Sequence, residues 1–408
     1  MLKFILNGRT PKQLVIQYTD ICNAQCPQCG MKVTERFHRS RLKQDVVKKI
    51  IDTAVKRGVK ILQFTGGEPM MFFDEVVSLI KYAGNAGIKY TLTGTNGFMF
   101  ANYNSPDFIE KTKMVVEKLA DTKIYSFWIS IDSAVPEVHE KMRGLPGVIK
   151  GIEKVLPIFH DHGIYPAANL LLNRNIGGFW NGAGQESRDF FEYFKNALRD
   201  LFTFVINMGF TTSIAAYPMS TNGIHEDIDP VYMSASSEDI VRFSGDEKVL
   251  LLQAYFAVIP ELRHKIRIFT PRSALYSLIR QYTIGESYCY PCMGGYGSFF
   301  IDAQEGNTYP CGFRGQENLG KYWEMELVSK KHKPSCLKCD WECFRDASEF
   351  FGPIQDIFTR PWNFMKRTVT DNQYIRLWLK DILYFNACDF FNGRVPPNFK
   401  KLSKFAGN

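Results

Sequence analysis

The chain has 408 residues, of which 45% are apolar and 23% are charged, and its formal net charge is +8. This length excludes one small domain, and the composition is that of a globular protein with two or three domains. The charge is too mild to establish a partner, and we predict no nucleic-acid partner. The chain has no stretch of about 18 apolar residues, and the apolar patch Phe4–Leu6 is too short for a signal peptide. We therefore expect a cytoplasmic protein without a transmembrane helix.

Strand patterns and helix patterns alternate over the first 218 residues. The first strand is predicted at Leu14–Tyr18, and the next helix has apolar pairs every four residues, beginning at Val46 and Val47. Further strands are predicted at Ile61–Thr65, Ile88–Thr93, Tyr125–Ile131, Tyr165–Leu172 and Thr211–Tyr217. The later helices are predicted at Asp74–Ala86, Phe108–Leu119, Val148–His160 and Arg188–Met208. Because parallel strands need a crossover element, this alternation indicates an α/β fold with a parallel sheet.

The six strand–helix units fall short of the eight units of a full barrel. We predict a partial (β/α)6 TIM-like barrel for residues 1–218, although a doubly wound sheet also fits the pattern. Residues 219–288 are predicted to be a helical connector, with a loop at Ser220–Ser237 and two or three helices over Glu238–Tyr282. Residues 289–345 are predicted to form a cysteine-rich auxiliary module with a small β-hairpin. Residues 346–408 are predicted to be an aromatic and basic helical segment.

The ten cysteines form two groups and one isolated residue. Cys22, Cys26 and Cys29 directly follow the first strand, six more lie in the range 289–343, and Cys388 stands alone. Because cytosolic thiols stay reduced, clustered cysteines indicate metal ligands and not disulfides. Three thiolates in one loop can bind three corners of a four-iron cluster and leave one iron for a different ligand. Zinc is the alternative, although structural zinc is usually closed by four ligands.

The loop Cys22-Asn-Ala-Gln-Cys26-Pro-Gln-Cys29 resembles the cluster-binding loop of the radical S-adenosylmethionine (SAM) superfamily. The resemblance implies a [4Fe–4S] cluster on these cysteines, whose open iron chelates the amino and carboxyl groups of SAM. It also implies reductive cleavage of SAM to a 5′-deoxyadenosyl radical, with a reductant such as flavodoxin or ferredoxin. The superfamily usually has an aromatic residue before the third cysteine, near adenine. Here that residue is Gln28, which we expect to contact adenine through its backbone.

Three further motifs of the superfamily occur at the ends of predicted strands. Gly66-Gly67-Glu68-Pro69 resembles the GGEP motif, whose backbone and glutamate hold the SAM amine. Its glycines permit close backbone approach, and its carboxylate suits an ammonium group. Thr95-Asn96-Gly97 resembles the turn after strand three.

The third motif follows strand four and contains Ser130, Asp132, Ser133, His139 and Arg143-Gly144. In relatives the serine contacts the SAM ribose and the arginine contacts the SAM carboxylate, which suits guanidinium geometry. Ser133 replaces a frequent glycine. The resemblance thus implies these SAM-binding residues: Gln28, Gly66, Gly67, Glu68, Asn96, Ser130, Asp132 and Arg143.

The second cysteine group resembles the SPASM/twitch extension of radical SAM enzymes. A strand at Gly297–Ile301, a turn and a strand at Thr308–Tyr309 are predicted to form a hairpin with cysteines at its feet. The resemblance implies at least one auxiliary [4Fe–4S] cluster, but the final CxxCx3C spacing departs from the family's CxxCx5Cx3C and puts a second cluster in doubt. The leading ligands are Cys292, Cys311, Cys336 and Cys339, with Cys289 and Cys343 as alternates and with zinc at Cys336, Cys339 and Cys343 as the competing interpretation.

The resemblance implies an oxidoreductase or modifying enzyme that abstracts hydrogen from its substrate. We rank a peptide or a small metabolite first as the substrate and a lipid-like substrate second, and no catalytic residue is predicted. A non-catalytic zinc or iron–sulfur binding module and an electron carrier without SAM cleavage are the rival hypotheses.

The helix at Tyr374–Phe385 is flanked by basic residues, so membrane contact is considered, although a helix that closes the barrel's open side is favoured.

Overall fold

The computed structural model describes residues 12–30, 39–182, 186–218, 231, 236, 238–285, 289–327, 334–339 and 341–407. The amino-terminal apolar patch and nearly all of the predicted loop Ser220–Ser237 lie outside the described residues. Within the described part of the chain, no helix is long and apolar enough to cross a membrane.

The strands of the structure are β1 (Gln13–Thr19), β2 (Ile61–Gly66), β3 (Tyr90–Thr95), β4 (Ile124–Ile131), β5 (Ala167–Leu171), β6 (Thr212–Ala216), β7 (Arg267–Ile268), β8 (Ser298–Ile301) and β9 (Thr308–Tyr309). All six strands predicted for the first 218 residues are confirmed. The third begins two residues later than predicted, and the very short β7 had no sequence signal.

The helices are α1 (Gln44–Lys56), α2 (Phe73–Ala86), α3 (Phe108–Ala120), α4 (Pro136–Arg143), α5 (Val148–Asp161), α6 (Ser187–Met208), α7 (Gly245–Leu262), α8 (Arg272–Thr283), α9 (Glu342–Thr359), α10 (Pro361–Thr370), α11 (Asn372–Ala387) and α12 (Phe399–Leu402). The connector was predicted to contain two or three helices, and its described residues form two α-helices, α7 and α8. The short α4 was not predicted, because its sequence has few apolar residues to mark a helical period.

Within the described residues, nine strands form one sheet in the order β7-β6-β5-β4-β3-β2-β1-β8-β9. Strands β1 to β6 are parallel and stand in chain order, as in a (β/α) barrel. The doubly wound alternative is wrong, because its strand order would reverse at a switch point. The predicted hairpin β8–β9 is confirmed, and its first strand pairs in parallel with β1 and so extends the main sheet.

The two faces of the sheet have different burial. One face packs on the helices, as with Leu62 and Phe64 of β2 and with Ile129 of β4, which belong to the main apolar core. The alternate residues of β2 to β6 are only half-buried: Gln63, Thr65, Leu92, Trp128, Ser130, Asn169, Leu171, Ile214 and Ala216. Parallel sheets are normally covered on both faces. The half-buried face is therefore the concave surface that a barrel presents to its ligands.

Gly151 in α5 provides a test of this packing. A Cβ atom at this position would lie 1.8 Å from the carbonyl oxygen of Phe100. We expect Gly151→Ala to lower the free energy of unfolding by about 1–3 kcal/mol despite alanine's better helix propensity, because the helix must shift. Gly245→Ala at the start of α7 is the matched control, since no atom lies within 4 Å of its Cβ. Chemical denaturation measures both variants, and equal stability would contradict the close packing of α5.

Candidate functional site

The first cysteine group lies in the loop that follows β1, at the carboxyl edge of the sheet. Cys22 is exposed, Cys26 is buried and Cys29 is half-buried. The backbone N–H of Cys29 donates to the carbonyl of Cys26 at 3.2 Å, which forms a tight turn at the end of the loop. The Cys26 thiol interacts electrostatically with the thiols of Cys22 and Cys29. The predicted loop therefore carries its three cysteines within one short segment at the carboxyl edge of the sheet.

The chain after β2 packs directly on the chain after β1. The N–H of Gly67 donates to the Thr19 carbonyl, and the N–H of Glu68 donates to the Ile21 carbonyl, both at 2.8 Å. A Cβ atom at Gly66 would lie 1.9 Å from the Thr19 oxygen, and one at Gly67 would lie 2.2 Å from the Ile21 oxygen. Gly66 also has a φ of +146°. These glycines are thus required for contact with the cysteine loop, a packing reason that adds to the predicted approach to a ligand.

Glu68 is buried, and its carboxylate joins β2 to β3. One oxygen accepts from the N–H of Met70 at 3.0 Å, and the other accepts from the N–H of Asn96 at 2.6 Å. Burial raises the pKa of Glu68 to about 7, against the lowering effect of these hydrogen bonds. The Asn96 amide donates to Asn23 at 2.9 Å and contacts the Cys22 sulfur at 3.9 Å. Two of the predicted SAM-binding residues therefore support each other beside Cys22.

A buried ion pair connects the end of β4 to the cysteine loop. Arg143 donates to both oxygens of Asp132, from Nε at 2.7 Å and from Nη2 at 2.8 Å. The Gln28 side-chain amide donates to the same carboxylate at 2.8 Å. The carboxylate raises the pKa of Arg143, although burial alone would lower it. Three predicted residues thus meet in one network, and Ser130 lies two positions before Asp132 on the half-buried face of β4.

His139 is held in its neutral form beside this ion pair. Its Nδ1 accepts a hydrogen bond from the N–H of Asp132 at 3.0 Å, so the proton lies on Nε2. Complete burial lowers the pKa of His139 to about 4. The histidine of the third motif therefore positions the backbone at Asp132.

The side chains of the first cysteine group and their surroundings fit a cluster that three thiolates would hold. Burial raises the pKa of Cys26 to about 12, whereas Arg143 lowers it. Because a coordinating thiol is deprotonated by its metal, bound iron would overcome the effect of burial. In the described residues, the Gln28 Oε1 and the His139 Nε2 are buried polar atoms without a hydrogen-bond partner. The Gln28 oxygen, between two of the cysteines, could accept a hydrogen bond from a ligand at this site.

The second cysteine group packs around Trp341 and Phe344. Cys292 and Cys311 are buried there, together with Val15 of β1 and Phe300 of β8, and the partly buried Cys336, Cys339 and Cys343 pack against them. The N–H of Cys292 donates to the Cys336 carbonyl at 2.8 Å. Cys289 lies at the edge of the group, where its thiol donates to the Ser277 carbonyl at 3.3 Å. The structure therefore gathers five of these six cysteines and places the sixth beside them.

Among the described residues, no three His, Cys, Asp or Glu side chains are arranged to hold a single metal ion. The irons of a four-iron cluster are each bound by a different thiolate, so that arrangement is not the one a cluster requires. The isolated Cys388 lies elsewhere, buried with Phe350, Tyr384 and Phe385. It packs in an apolar cluster, which is usual for a free cysteine that is not a metal ligand.

Arg345 and Glu349 support the second cysteine group, and no sequence motif marked either residue. The Glu349 carboxylate accepts from the N–H of Tyr290 at 2.8 Å, and Arg345 donates to the Tyr290 carbonyl at 2.9 Å. Both side chains are almost completely buried. Opposite charges four residues apart on a helix usually form an exposed pair. The sequence spacing of Arg345 and Glu349 therefore did not predict two buried side chains that hold the backbone at Tyr290.

Asp346 is a second functional candidate that the sequence did not reveal. It is buried on α9, and the Tyr217 hydroxyl at the end of β6 donates to its carboxylate at 3.2 Å. Burial raises the pKa of Asp346 well above its usual range. This contact joins the carboxyl edge of the sheet to the helix that carries Cys343. Only the folded chain brings residues 217 and 346 together.

The ion pair between Asp132 and Arg143 provides a test of the site's architecture. We expect Asp132→Ala to lower the free energy of unfolding by about 3–5 kcal/mol, because a buried guanidinium is left without its partner. Asp74→Ala is the control, since it removes an exposed pair with Lys118 and should change stability little. Urea denaturation of both variants measures the difference. A small effect of the Asp132 variant would contradict the burial of this pair.

Comparison with known proteins agrees with this geometry. Residues 16–176 match the family model of the radical SAM superfamily. The AdoMet-dependent heme synthase of Oleidesulfovibrio alaskensis is 24% identical over 300 residues, which are 73% of this chain and 68% of that protein. A probable GTP 3′,8-cyclase of Methanococcus maripaludis is 26% identical over 154 residues, which are 37% of this chain and 48% of the cyclase.

The fold resembles that of Streptococcus suis SuiB, whose structure was solved with S-adenosylmethionine bound. The TM-score is 0.52 at 18% identity, over 80% of this chain and 67% of SuiB. This likeness shows the fold alone. The matched segment 16–176 contains all three cysteines of the first group and all the predicted SAM-binding residues. Residues 16–176 therefore form a radical SAM domain, and the chain is a radical SAM enzyme.

Proposed function

We propose that this protein is a SPASM/twitch-type radical SAM enzyme that abstracts hydrogen from a peptide or a small metabolite. The observation that carries the proposal is the position of the Cys22–Cys29 loop, which lies against Glu68, Asn96 and Asp132 at the carboxyl edge of the sheet. Ligands bind at this edge in parallel α/β folds. When bound, a [4Fe–4S] cluster with an open iron supplies the electron that cleaves SAM to a 5′-deoxyadenosyl radical.

The chain's own residues would position SAM. The carboxylate of Glu68 and the backbone at Gly66 and Gly67 are proposed to face the SAM amine, and Asn96 orients the loop at Cys22. Ser130 is proposed to contact the ribose, and Gln28 the adenine. Arg143 is proposed to contact the SAM carboxylate while Asp132 holds its guanidinium in a fixed plane, because a bidentate pair restricts rotation.

The second cysteine group is proposed to hold at least one auxiliary [4Fe–4S] cluster. A backbone hydrogen bond joins Cys292 to Cys336, and Cys311 packs with both in one apolar cluster, which supports a shared site. Cys339 packs in the same apolar cluster and completes the proposed four-thiolate set. Cys289 and Cys343 remain the alternates. Such a cluster would orient the substrate or accept an electron from it, and the first cluster would be reduced by a flavodoxin or a ferredoxin.

The substrate is proposed to lie against the half-buried face of the sheet. That face mixes the polar side chains of Gln63, Ser130 and Asn169 with Trp128 and aliphatic residues. A mixed surface suits a ligand with both amide and apolar groups, such as a peptide, better than a purely apolar chain. A SuiB structure, with a TM-score of 0.52, is described as bound to its precursor peptide, which agrees with this choice. A lipid-like substrate is the alternative.

The first test is SAM cleavage. We expect the reconstituted protein to form 5′-deoxyadenosine from SAM and dithionite under anaerobic conditions. We expect Cys26→Ala to reduce this product by at least about a hundredfold, since one corner of the cluster loses its thiolate. The control is Cys388→Ala, which changes a buried cysteine far from either group and should keep the activity. Chromatography of the product measures all three proteins.

Three results would contradict the proposal. Wild-type protein that contains zinc without sulfide would be a non-catalytic zinc module. Protein that contains iron and sulfide but forms no 5′-deoxyadenosine would be an electron carrier. Full activity of the Cys26→Ala variant would place the cluster elsewhere.

The second test concerns the auxiliary cluster. We expect Cys292→Ala to lose about four irons and four sulfides per chain, while the cluster on the first loop and its SAM-dependent spectral change remain. Cys388→Ala again is the control and should keep the full iron content. Iron and sulfide analysis, with electron paramagnetic resonance of the reduced protein, measures the difference. Unchanged iron in the Cys292 variant would remove this residue from the ligand set.

A further inference from the structure

Helix α10 presents an apolar face that no described part of the chain covers. Trp362, Met365 and Val369 lie on one side of the helix, because residues three, four and seven apart share a face. Their side chains are 78%, 56% and 83% exposed. No residue of α10 is fully buried. A helix that stabilised only the core would direct such residues inward.

The opposite side of α10 attaches it to the rest of the protein. The Phe364 ring packs edge-on against Trp378 of α11 at 6.2 Å. The Arg367 guanidinium lies 3.7 Å from the ring centre of Tyr374. These contacts determine which side of the helix points outward. The exposed face is therefore held in place by the fold.

Exposed apolar side chains are concentrated in the carboxyl-terminal segment that contains this helix. Ten of the eighteen large exposed hydrophobic residues in the described part of the chain lie between residues 351 and 399. They are Phe351, Ile357, Phe358, Trp362, Met365, Val369, Leu379, Leu383, Phe390 and Phe399. Scattered exposed hydrophobics are normal, but a concentration of this kind marks an interaction surface.

The exposed charges of the same segment are all positive. Between Ile357 and Gly407, all exposed charged residues are cationic: Arg360, Lys366, Arg376, Lys380, Lys400, Lys401 and Lys404. The three acids of the segment are buried or half-buried. Asp371 pairs with Arg280, and Asp381 accepts from the N–H of Ser273 at 2.8 Å. The surface thus combines apolar side chains with positive charge and exposes no carboxylate among its described residues.

We propose that α10 and the cations of this segment dock the enzyme on the surface of an anionic lipid bilayer. Tryptophan is favoured at the boundary between lipid and water, and basic residues beside an apolar helix face attract anionic headgroups. A second copy of the chain suits the surface poorly, because a symmetric contact would place the same cations against each other. The contact is peripheral, since no described helix spans a membrane.

Neither the apolar face of α10 nor the positive charge of the segment is sufficient alone for stable membrane binding. A ten-residue helix inserts only a few side chains, and stable membrane binding normally needs a hydrophobic and an electrostatic contribution together. The binding should therefore require anionic lipid, weaken with added salt and fail when the apolar face is removed. This inference is independent of the substrate and would hold for any reaction in the active site.

Flotation of the full-length reconstituted enzyme with vesicles tests the proposal. We expect it to float with phosphatidylcholine vesicles that contain phosphatidylglycerol and not with pure phosphatidylcholine vesicles. The variant Trp362→Ser/Met365→Ser/Val369→Ser should reduce the bound fraction at least about tenfold. The matched control is Ile109→Ser/Met114→Ser/Phe179→Ser, three residues that are 45%, 53% and 57% exposed outside this segment. The control should bind as the wild type does.

A charge variant separates the two contributions. Lys366→Gln/Arg376→Gln/Lys380→Gln should weaken binding to anionic vesicles while the apolar face stays intact. All variants should keep the wild-type thermal transition and 5′-deoxyadenosine formation, so that loss of binding is not loss of folding. Absence of flotation with anionic vesicles, or an equal loss in the matched control, would overturn the proposal. So would a concentration-dependent dimer that the α10 variant abolishes, because the face would then bind a second copy.

Discussion

The site depends on the contact between the chain that follows β1 and the chain that follows β2. Two backbone hydrogen bonds join these segments, and the carbonyls of Thr19 and Ile21 occupy the space that side chains at Gly66 and Gly67 would need. The cysteine loop begins at Cys22, the residue after Ile21, so this contact determines the path of the loop. Glu68 then connects the same point to β3 through the N–H of Asn96. One backbone contact thereby aligns three strand ends.

The buried charges near the cysteines have a related role. An unpaired guanidinium at Arg143 would be costly in the interior, and the bidentate pair with Asp132 offsets that cost. The same carboxylate holds the Gln28 amide, so the ion pair fixes one end of the cysteine loop while the glycines fix the other. A buried ion pair contributes little net stability, but it specifies one geometry for its partners. A single fixed geometry is what the cluster-binding loop proposed above would require.

Much of this arrangement could be predicted from the sequence, because it follows from periodicity and chain order. The alternation of strands and helices predicted the parallel sheet. Polar motifs that follow successive parallel strands must then meet at the carboxyl edge of that sheet. The partners of each motif residue could not be predicted. The pairing of Arg143 with Asp132 and the contact of Asp346 with Tyr217 depend on tertiary structure, and the charged pair of Arg345 and Glu349 has the spacing of an exposed pair.

The pairing of β8 with β1 was also beyond the sequence, because a predicted hairpin does not reveal which strand it joins. This pairing explains how the second cysteine group is oriented. Side chains alternate along β1, so Leu14 and Ile16 face the helices while Val15 faces the other way. Val15 packs with Phe300, Cys292 and Cys311, which places the second cysteine group on the side of the sheet away from the helices.

Strand β1 therefore serves both cysteine groups. Its carboxyl end leads into Cys22, and its Val15 packs in the apolar cluster of the second cysteine group. The contact between Tyr217 and Asp346 connects α9, the helix that carries Cys343, to the end of β6. The second cysteine group is thus attached to the sheet at β1 and near β6, and β2 to β5 lie between these two attachments. A substrate on the half-buried face of these strands, as proposed above, would lie beside the second cysteine group. A change in the packing of that group should therefore alter the binding of substrate more than the cleavage of SAM, which is proposed to occur at the separate loop after β1.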